Sequence, residues 1–294
     1  MMKFFTIIAV VLVLPVFVSS TSFAGAYIKN KNELFIIFEN TVTSNKIMPF
    51  DSFDIVRDFK SSENKIYFEY GLGNRLAING YIKSFNLKMN FDTKLSNKND
   101  TSYFYSLGIQ YNLLSIINNY LTLNFLFYDK IKFDNVLFTT SNNDIFTAFE
   151  YGLSYSYFFN NFIGLYNNNF ISFDIRYKYF KESFKNNFNA SLSLGRKINT
   201  TSMIILEYSY SRDVIKNKNF PIDKYFYDGN QVLTRKFRTD KILNSLSSTY
   251  QTIRLSSITN FTENLSFKIG LENSFYKNNK KSYAISVGFW INFL

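Results

Sequence analysis

The sequence has no cysteine, no histidine and only 3 prolines in 294 residues. Without cysteine there is neither a disulfide framework nor a lipid-anchored N-terminal cysteine. Transition metals lose both of their preferred side-chain ligands. A serine nucleophile loses its usual base, and no local motif puts a lysine or carboxylate in its place. The sequence therefore points away from catalysis and offers no cofactor site. Asp213, Asp223 and Asp228 match no calcium-loop spacing and read as solvated loop charge. Scarce proline leaves long strands uninterrupted. After residues 4–18, no apolar run is long enough for a transmembrane helix.

What remains is aromatic and basic. Phenylalanine and tyrosine number 35 and 22, and the net charge is +11. Such a charge in a cytoplasmic protein suggests nucleic acid, but no basic helix or RNA-binding motif accompanies it. The N-terminus points elsewhere. Lys3 precedes the apolar stretch 4–18, and Ser22-Phe23-Ala24 or Ala24-Gly25-Ala26 supplies small residues for cleavage. The expected organisation is a cleaved signal peptide over 1–24 and one domain over 25–294. Export makes anionic lipid headgroups or solutes better partners than nucleic acid.

Period-2 alternation runs through the chain. In the last twelve residues Tyr283, Ile285, Val287, Phe289, Ile291 and Phe293 take every second place. Side chains alternate faces along a strand, so one face there is wholly apolar. Similar stripes begin at Leu34, Ile66, Leu76, Tyr103, Leu121, Phe149, Ile171, Phe188, Ile204, Ile253 and Leu265, about twelve strands in all. Turns near 73–75, 115–119, 160–164, 197–202 and 262–264 are short. The connections between them, over 41–62, 88–101, 129–144, 181–187 and 213–244, are longer, with 277–281 a short exception.

Short and long connections thus alternate with strand direction, as in an antiparallel transmembrane β-barrel with short periplasmic turns and long external loops. A soluble sandwich, the alternative fold, has no reason to sort loop lengths by end. The final strand reads as the membrane-insertion strand that the barrel-assembly machinery would recognise. Tyr111, Tyr157, Tyr179 and Tyr210 fall at strand ends, where interfacial aromatic girdles lie.

In Ser172-Phe173-Asp174-Ile175-Arg176-Tyr177-Lys178 the charges all take the face opposite the apolar one. A charge facing lipid costs about 2–4 kcal/mol near the midplane, so the charged face is assigned to the lumen. That phase places Lys65, Lys83, Arg176, Lys178, Arg254 and Lys268 inside, with Glu69, Glu150, Asp174, Glu207 and Glu272. Six cations against five anions make a nearly neutral lining. The excess positive charge falls on loops, above all Lys216, Lys218, Lys224, Arg235, Lys236, Arg238 and Lys241. Such a rim suits lipopolysaccharide phosphates. Inward Gly108, Gly152, Ser154, Ser193, Gly195, Ser209 and Gly270 are expected to leave room for water.

Glu69-Tyr70-Gly71-Leu72-Gly73-Asn74-Arg75-Leu76 resembles the E-Y-G-L-x-x-R-L hairpin of a broad group of proteobacterial outer-membrane barrels of the porin or transporter kind. Gly25-Ala26-Tyr27 is similar to that group's start. The resemblance covers the first ninety or so residues and the terminal strand, and implies a fold and a bacterial outer-membrane location rather than a substrate. In one departure, Phe293 is followed by Leu294, where that group ends on its aromatic. The sequence leads to a narrow passive pore for small hydrophilic solutes. The alternative is a closed barrel acting through basic loops as an adhesin or envelope-structural protein, and a barrel enzyme ranks third.

Overall fold

Alternation makes strands, and the ring into which they pair decides which face meets what. The computed structural model describes residues 29–45, 56–91, 98–116, 118–132, 145–159, 169–181, 185–215, 227–228, 231–232, 249–276 and 281–293. The expected signal peptide over 1–24, Leu294 and nearly all of the basic loop lie outside them. The strands are β1 (Leu34–Asn45), β2 (Val56–Gly73), β3 (Leu76–Phe91), β4 (Lys98–Ile116), β5 (Asn119–Lys132), β6 (Ile145–Phe159) and β7 (Asn169–Phe180). They continue as β8 (Lys185–Lys197), β9 (Ser202–Ile215), β10 (Tyr227–Asp228), β11 (Gln231–Val232), β12 (Thr249–Asn260), β13 (Leu265–Tyr276) and β14 (Lys281–Phe293).

Each barrel strand pairs antiparallel with its neighbour, in the order β1-β14-β13-β12-β9-β8-β7-β6-β5-β4-β3-β2. The ring closes where Leu34 meets Phe293 and Asn45 meets Ser282. Closure removes both sheet edges, which hydrocarbon would not tolerate. The strands β10 and β11 form a separate two-residue ladder between β9 and β12. The strands are strongly staggered. Stepping through register partners from Phe35, at the start of β1, leads by Glu69, Asn79, Gly108, Leu126, Glu150, Lys178 and Asn187 to Asp213, near the end of β9. That stagger is the shear a tilted barrel requires.

The outer face carries the apolar stripes. Tyr283, Ile285, Leu107 and Phe149 are each at least half exposed, whereas Ser282, Ala284, Ser286 and Trp290 on the opposite face of β14 are buried. A closed wall that is apolar outside and polar inside is stable in a bilayer and not in water. Leu107 lies in the middle of this belt, between Gly80 and Phe127 in register. Leu107→Arg should therefore cost about 2–4 kcal/mol, read as a lower urea midpoint for the heat-modifiable folded band.

The expected loops are shorter than the alternation implied, because residues 41–45, 56–62 and 98–101 belong to strands. Polar side chains carry the ladder on past the apolar stripes there. Thr101 Oγ1 donates to Asn86 Oδ1 at 2.8 Å, for example. A crossing needs roughly nine to eleven tilted residues, and β2 and β4 have 18 and 19.

Candidate functional site

The inner wall is built from the residues between the outward stripes, and many of its charges pair between neighbouring strands. On β6 and β7, Glu150 stands in register with Lys178, and Ser154 with Asp174. Arg176 Nε lies 2.5 Å from Asp174 Oδ2, and its Nη1 lies 3.3 Å from Glu150 Oε1. Lys178 Nζ reaches the other Glu150 oxygen at 3.4 Å and sits 3.6 Å from the centre of the Tyr128 ring. Tyr128 donates its hydroxyl proton to Glu150 Oε2 at 2.6 Å. Glu150 thus serves two cations and a phenol.

A second group lies on β9, β12, β13 and β1. Arg254 is flanked in register by Glu207 and Glu272, and its Nη2 lies 2.5 Å from Glu272 Oε2. Lys268 on β13 bonds both oxygens of Glu39 on β1, at 3.1 and 3.2 Å, across the intervening β14. That bridge is possible because Gly288 is the register partner of both Lys268 and Glu39. A Cβ at Gly288 would come within 2.7 Å of the Phe38 carbonyl oxygen and 3.5 Å of Glu39 Cβ. On β2 and β3, Lys83 pairs with Glu63 at 2.6 Å, and Lys65 lies over the rings of Tyr67 and Tyr81.

Every lumen residue expected from the sequence occupies the wall face opposite the outward stripes. Glu69 differs in its use. It lies near the short-turn end and accepts hydrogen bonds from the Lys29 backbone N–H and the Tyr67 hydroxyl, each at 3.1 Å. A turn before β1 makes this contact. Asn32 takes a positive φ of 68°, which asparagine tolerates, and its N–H donates to the Gly71 carbonyl at 2.9 Å. A Cβ at Gly71 would overlap the Asn30 carbonyl, so this strap needs glycine there. Burial pushes the Lys29 ammonium below the usual lysine value, with Glu69 and Glu33 opposing the shift.

Among the described residues, three inner carboxylates are additions to the expected set: Glu39, Glu63 and Asp213. Alternation continued past Phe38 and Ile66 would have found the first two, and continued past Tyr210 the third. Lys197, the register partner of Met203, also joins the inner face, and the described lining then carries seven cations against eight anions.

The small inward residues are not simply water space. A Cβ at Gly195 would overlap the Phe170 ring, and one at Gly152 would come within 2.9 Å of Arg176 Cγ. These glycines seat a neighbour's large side chain.

Toward the short-turn end the lining becomes apolar on one half of the ring, while Asn79, Gln110, Asn112 and Thr122 keep it polar on β3, β4 and β5. Phe35, Trp290, Ile258, Met203 and Phe170, from five strands, form one buried cluster, with Ile37, Tyr67, Phe158 and Ile205 against it. Phe35 and Trp290 meet edge-to-face at 5.8 Å, and Met203 is the register partner of Ile258. This collar runs from β1 round to β7, the opposite side of the ring. Sequence reasoning passed over it, although a signal exists. Leu34-Phe35-Ile36-Ile37, Met203-Ile204-Ile205-Leu206 and Phe289-Trp290-Ile291 are apolar on both faces, and all lie at short-turn strand ends.

No family model matches the sequence, and no curated protein matches it. Solved structures do share the fold. An outer-membrane channel from Pseudomonas putida F1 superposes with a TM-score of 0.60 at 9% identity, over 94% of this chain and 100% of that one. The translocator domain of the autotransporter NalP from Neisseria meningitidis gives 0.54 at 12% identity, over 90% of each chain. The β-domain of the Bordetella autotransporter BrkA gives 0.52 at 8%, over 90% of this chain and 100% of that one. The chain has the closed antiparallel fold of outer-membrane β-barrels.

Proposed function

We propose that this protein is an exported outer-membrane barrel whose lumen is a narrow, passive and weakly ion-selective pore for small hydrophilic solutes, with no enzymatic step. The observation that carries this reading is the direction of the ion pairs. Those joining described residues run along the wall, between adjacent strands, within β7, or across the side-chain-free Gly288. Charges paired in this way hold their side chains against the strands and leave the axis to water. Twelve strands lie between the filled eight-stranded barrel and the open sixteen-stranded one, which suits a narrow channel. The short-turn end is then periplasmic, and β14 is the strand that the assembly machinery reads.

Near-balanced lining charge implies that cations and anions permeate at similar rates. Purified protein in planar bilayers should give small conductance steps with a reversal potential close to zero in a salt gradient. The absence of steps at every salt concentration would refute the pore. The apolar collar favours one other reading, a barrel closed at its periplasmic end that works through its external loops on lipopolysaccharide or a surface. In that case neutralising Lys216, Lys218 and Lys224 abolishes lipopolysaccharide binding, and conductance is absent throughout.

A further inference from the structure

The turn that precedes β1 lies inside the wall. Gly71 shares the inner face with Glu69, and a Cβ there would overlap the Asn30 carbonyl. The backbone of residues 29–33 therefore crosses the lumen side of β2, at the short-turn mouth. The turn closes where the Glu33 N–H donates to the Asn30 carbonyl at 3.1 Å, which reverses the chain. Lys29 is thus folded back over the mouth and is only 5% exposed, although lysine is almost never buried unless something holds it.

Lys29 sits at the edge of the apolar collar. Its Nζ lies 4.4 Å from the centre of the Phe35 ring, a cation–π contact. With Phe35, Trp290, Glu263 and Asn264 it lines a cavity of about 10 Å³, room for one water at most. Glu69 accepts the Lys29 backbone N–H on one oxygen and the Tyr67 hydroxyl on the other, and Tyr67 packs against the collar. The strap and the collar are therefore joined at Phe35 and, through Glu69, at Tyr67.

The two ends of the strap are held differently. At the turn, Asn32 N–H donates to the Gly71 carbonyl at 2.9 Å, and Gly71 N–H donates to the Glu33 carbonyl at 3.0 Å. These backbone bonds extend the β1–β2 ladder. The inward end instead rests on side chains of the wall, the Glu69 carboxylate and the Phe35 ring. Opening that end breaks no ladder bond, so the turn is the hinge.

We propose that residues 29–33 form a latch on the pore, with the Lys29 end closing the apolar collar from the short-turn side and opening it on release. The latch rests on the pore reading given above. An apolar constriction conducts when water enters it. With the latch seated, Phe35 and Trp290 are buried. With Lys29 withdrawn, the Phe35 ring and the small cavity beside it face the mouth. The two positions of the latch are two conductance levels.

Single-channel records of the purified protein in planar bilayers should therefore step between a low and a higher level. Gly71→Ala, whose methyl group takes the place of the Asn30 carbonyl, should raise the time-averaged conductance several-fold. Gly73→Ala at the same strand end, where a Cβ meets nothing within 4 Å, should leave it at the parent value. Glu69→Ala removes the acceptor for the inward end and keeps the turn, so it should lengthen the higher-level dwells. It carries the test if Gly71→Ala does not give the heat-modifiable folded band. Folded Gly71→Ala or Glu69→Ala protein conducting like the parent would overturn the latch and leave the pore reading standing. A parent silent at every salt concentration would overturn the pore reading, and the latch with it.

Discussion

Single-channel conductance should rise several-fold when Met203 and Ile258 are both replaced by serine. These two residues are register partners on β9 and β12 and are almost completely buried in the collar. An apolar constriction raises the barrier to ions beyond what its width alone imposes, because water withdraws from it. Serine hydroxyls shorten both side chains and hold water, so width and wetting change in the same direction. Truncating buried aliphatic side chains costs about 2–5 kcal/mol in tight cores. Folding of the variant is therefore checked by its heat-modifiable mobility before conductance is read. Leu192→Ser, on the outer face of β8, serves as the control and should leave conductance unchanged. A folded double variant conducting like the parent would show that the collar is not the narrow point.

Removing the Glu39 carboxylate as Glu39→Ala should destabilise the barrel by about 3 kcal/mol, near the lower end for breaking a buried pair. Lys268 would be left as a cation in a site where its side chain is 10% exposed, with its two short contacts to Glu39 gone. Adding Lys268→Met removes the orphaned charge and should restore most of the loss, so the double-mutant cycle shows strong coupling. Urea unfolding in lipid vesicles measures it. The same single change should move ion selectivity toward anions, because it removes one negative charge from a nearly balanced lining. Gly288→Val tests the geometry separately, since its added carbons would enter the space that the bridge crosses. A cycle with no coupling would mean that water screens the pair.

Fold class was legible because a barrel wall repeats one rule. Alternation at Tyr283, Ile285 and Val287, or at Phe173 and Ile175, places one face in lipid whatever the neighbouring strands do. The same rule put Arg176, Lys178 and Arg254 on the inner face from sequence alone. It failed where the pattern stopped being apolar against polar. At Asn40 and Glu63 no apolar stripe marked the strand, so β1 and β2 were cut short and Glu39 and Glu63 went unseen. At Met203-Ile204-Ile205-Leu206 both faces are apolar, and alternation has nothing to report there.

By itself the sequence determined the wall: strands from period 2 and a phase from the cost of charge in hydrocarbon. Those are local properties, each set within a dozen residues. Only the tertiary structure decided which side chains share the interior. Lys268 and Glu39 are 229 positions apart and meet because ring closure puts β1 beside β14, with Gly288 between them. The collar likewise gathers Phe35, Phe170 and Trp290 through stagger and closure, which depend on register around the whole ring. Apolarity on both faces marks the collar residues locally, but which of them meet carries no local signature, because neither partner's neighbourhood in the chain records the strand that will face it.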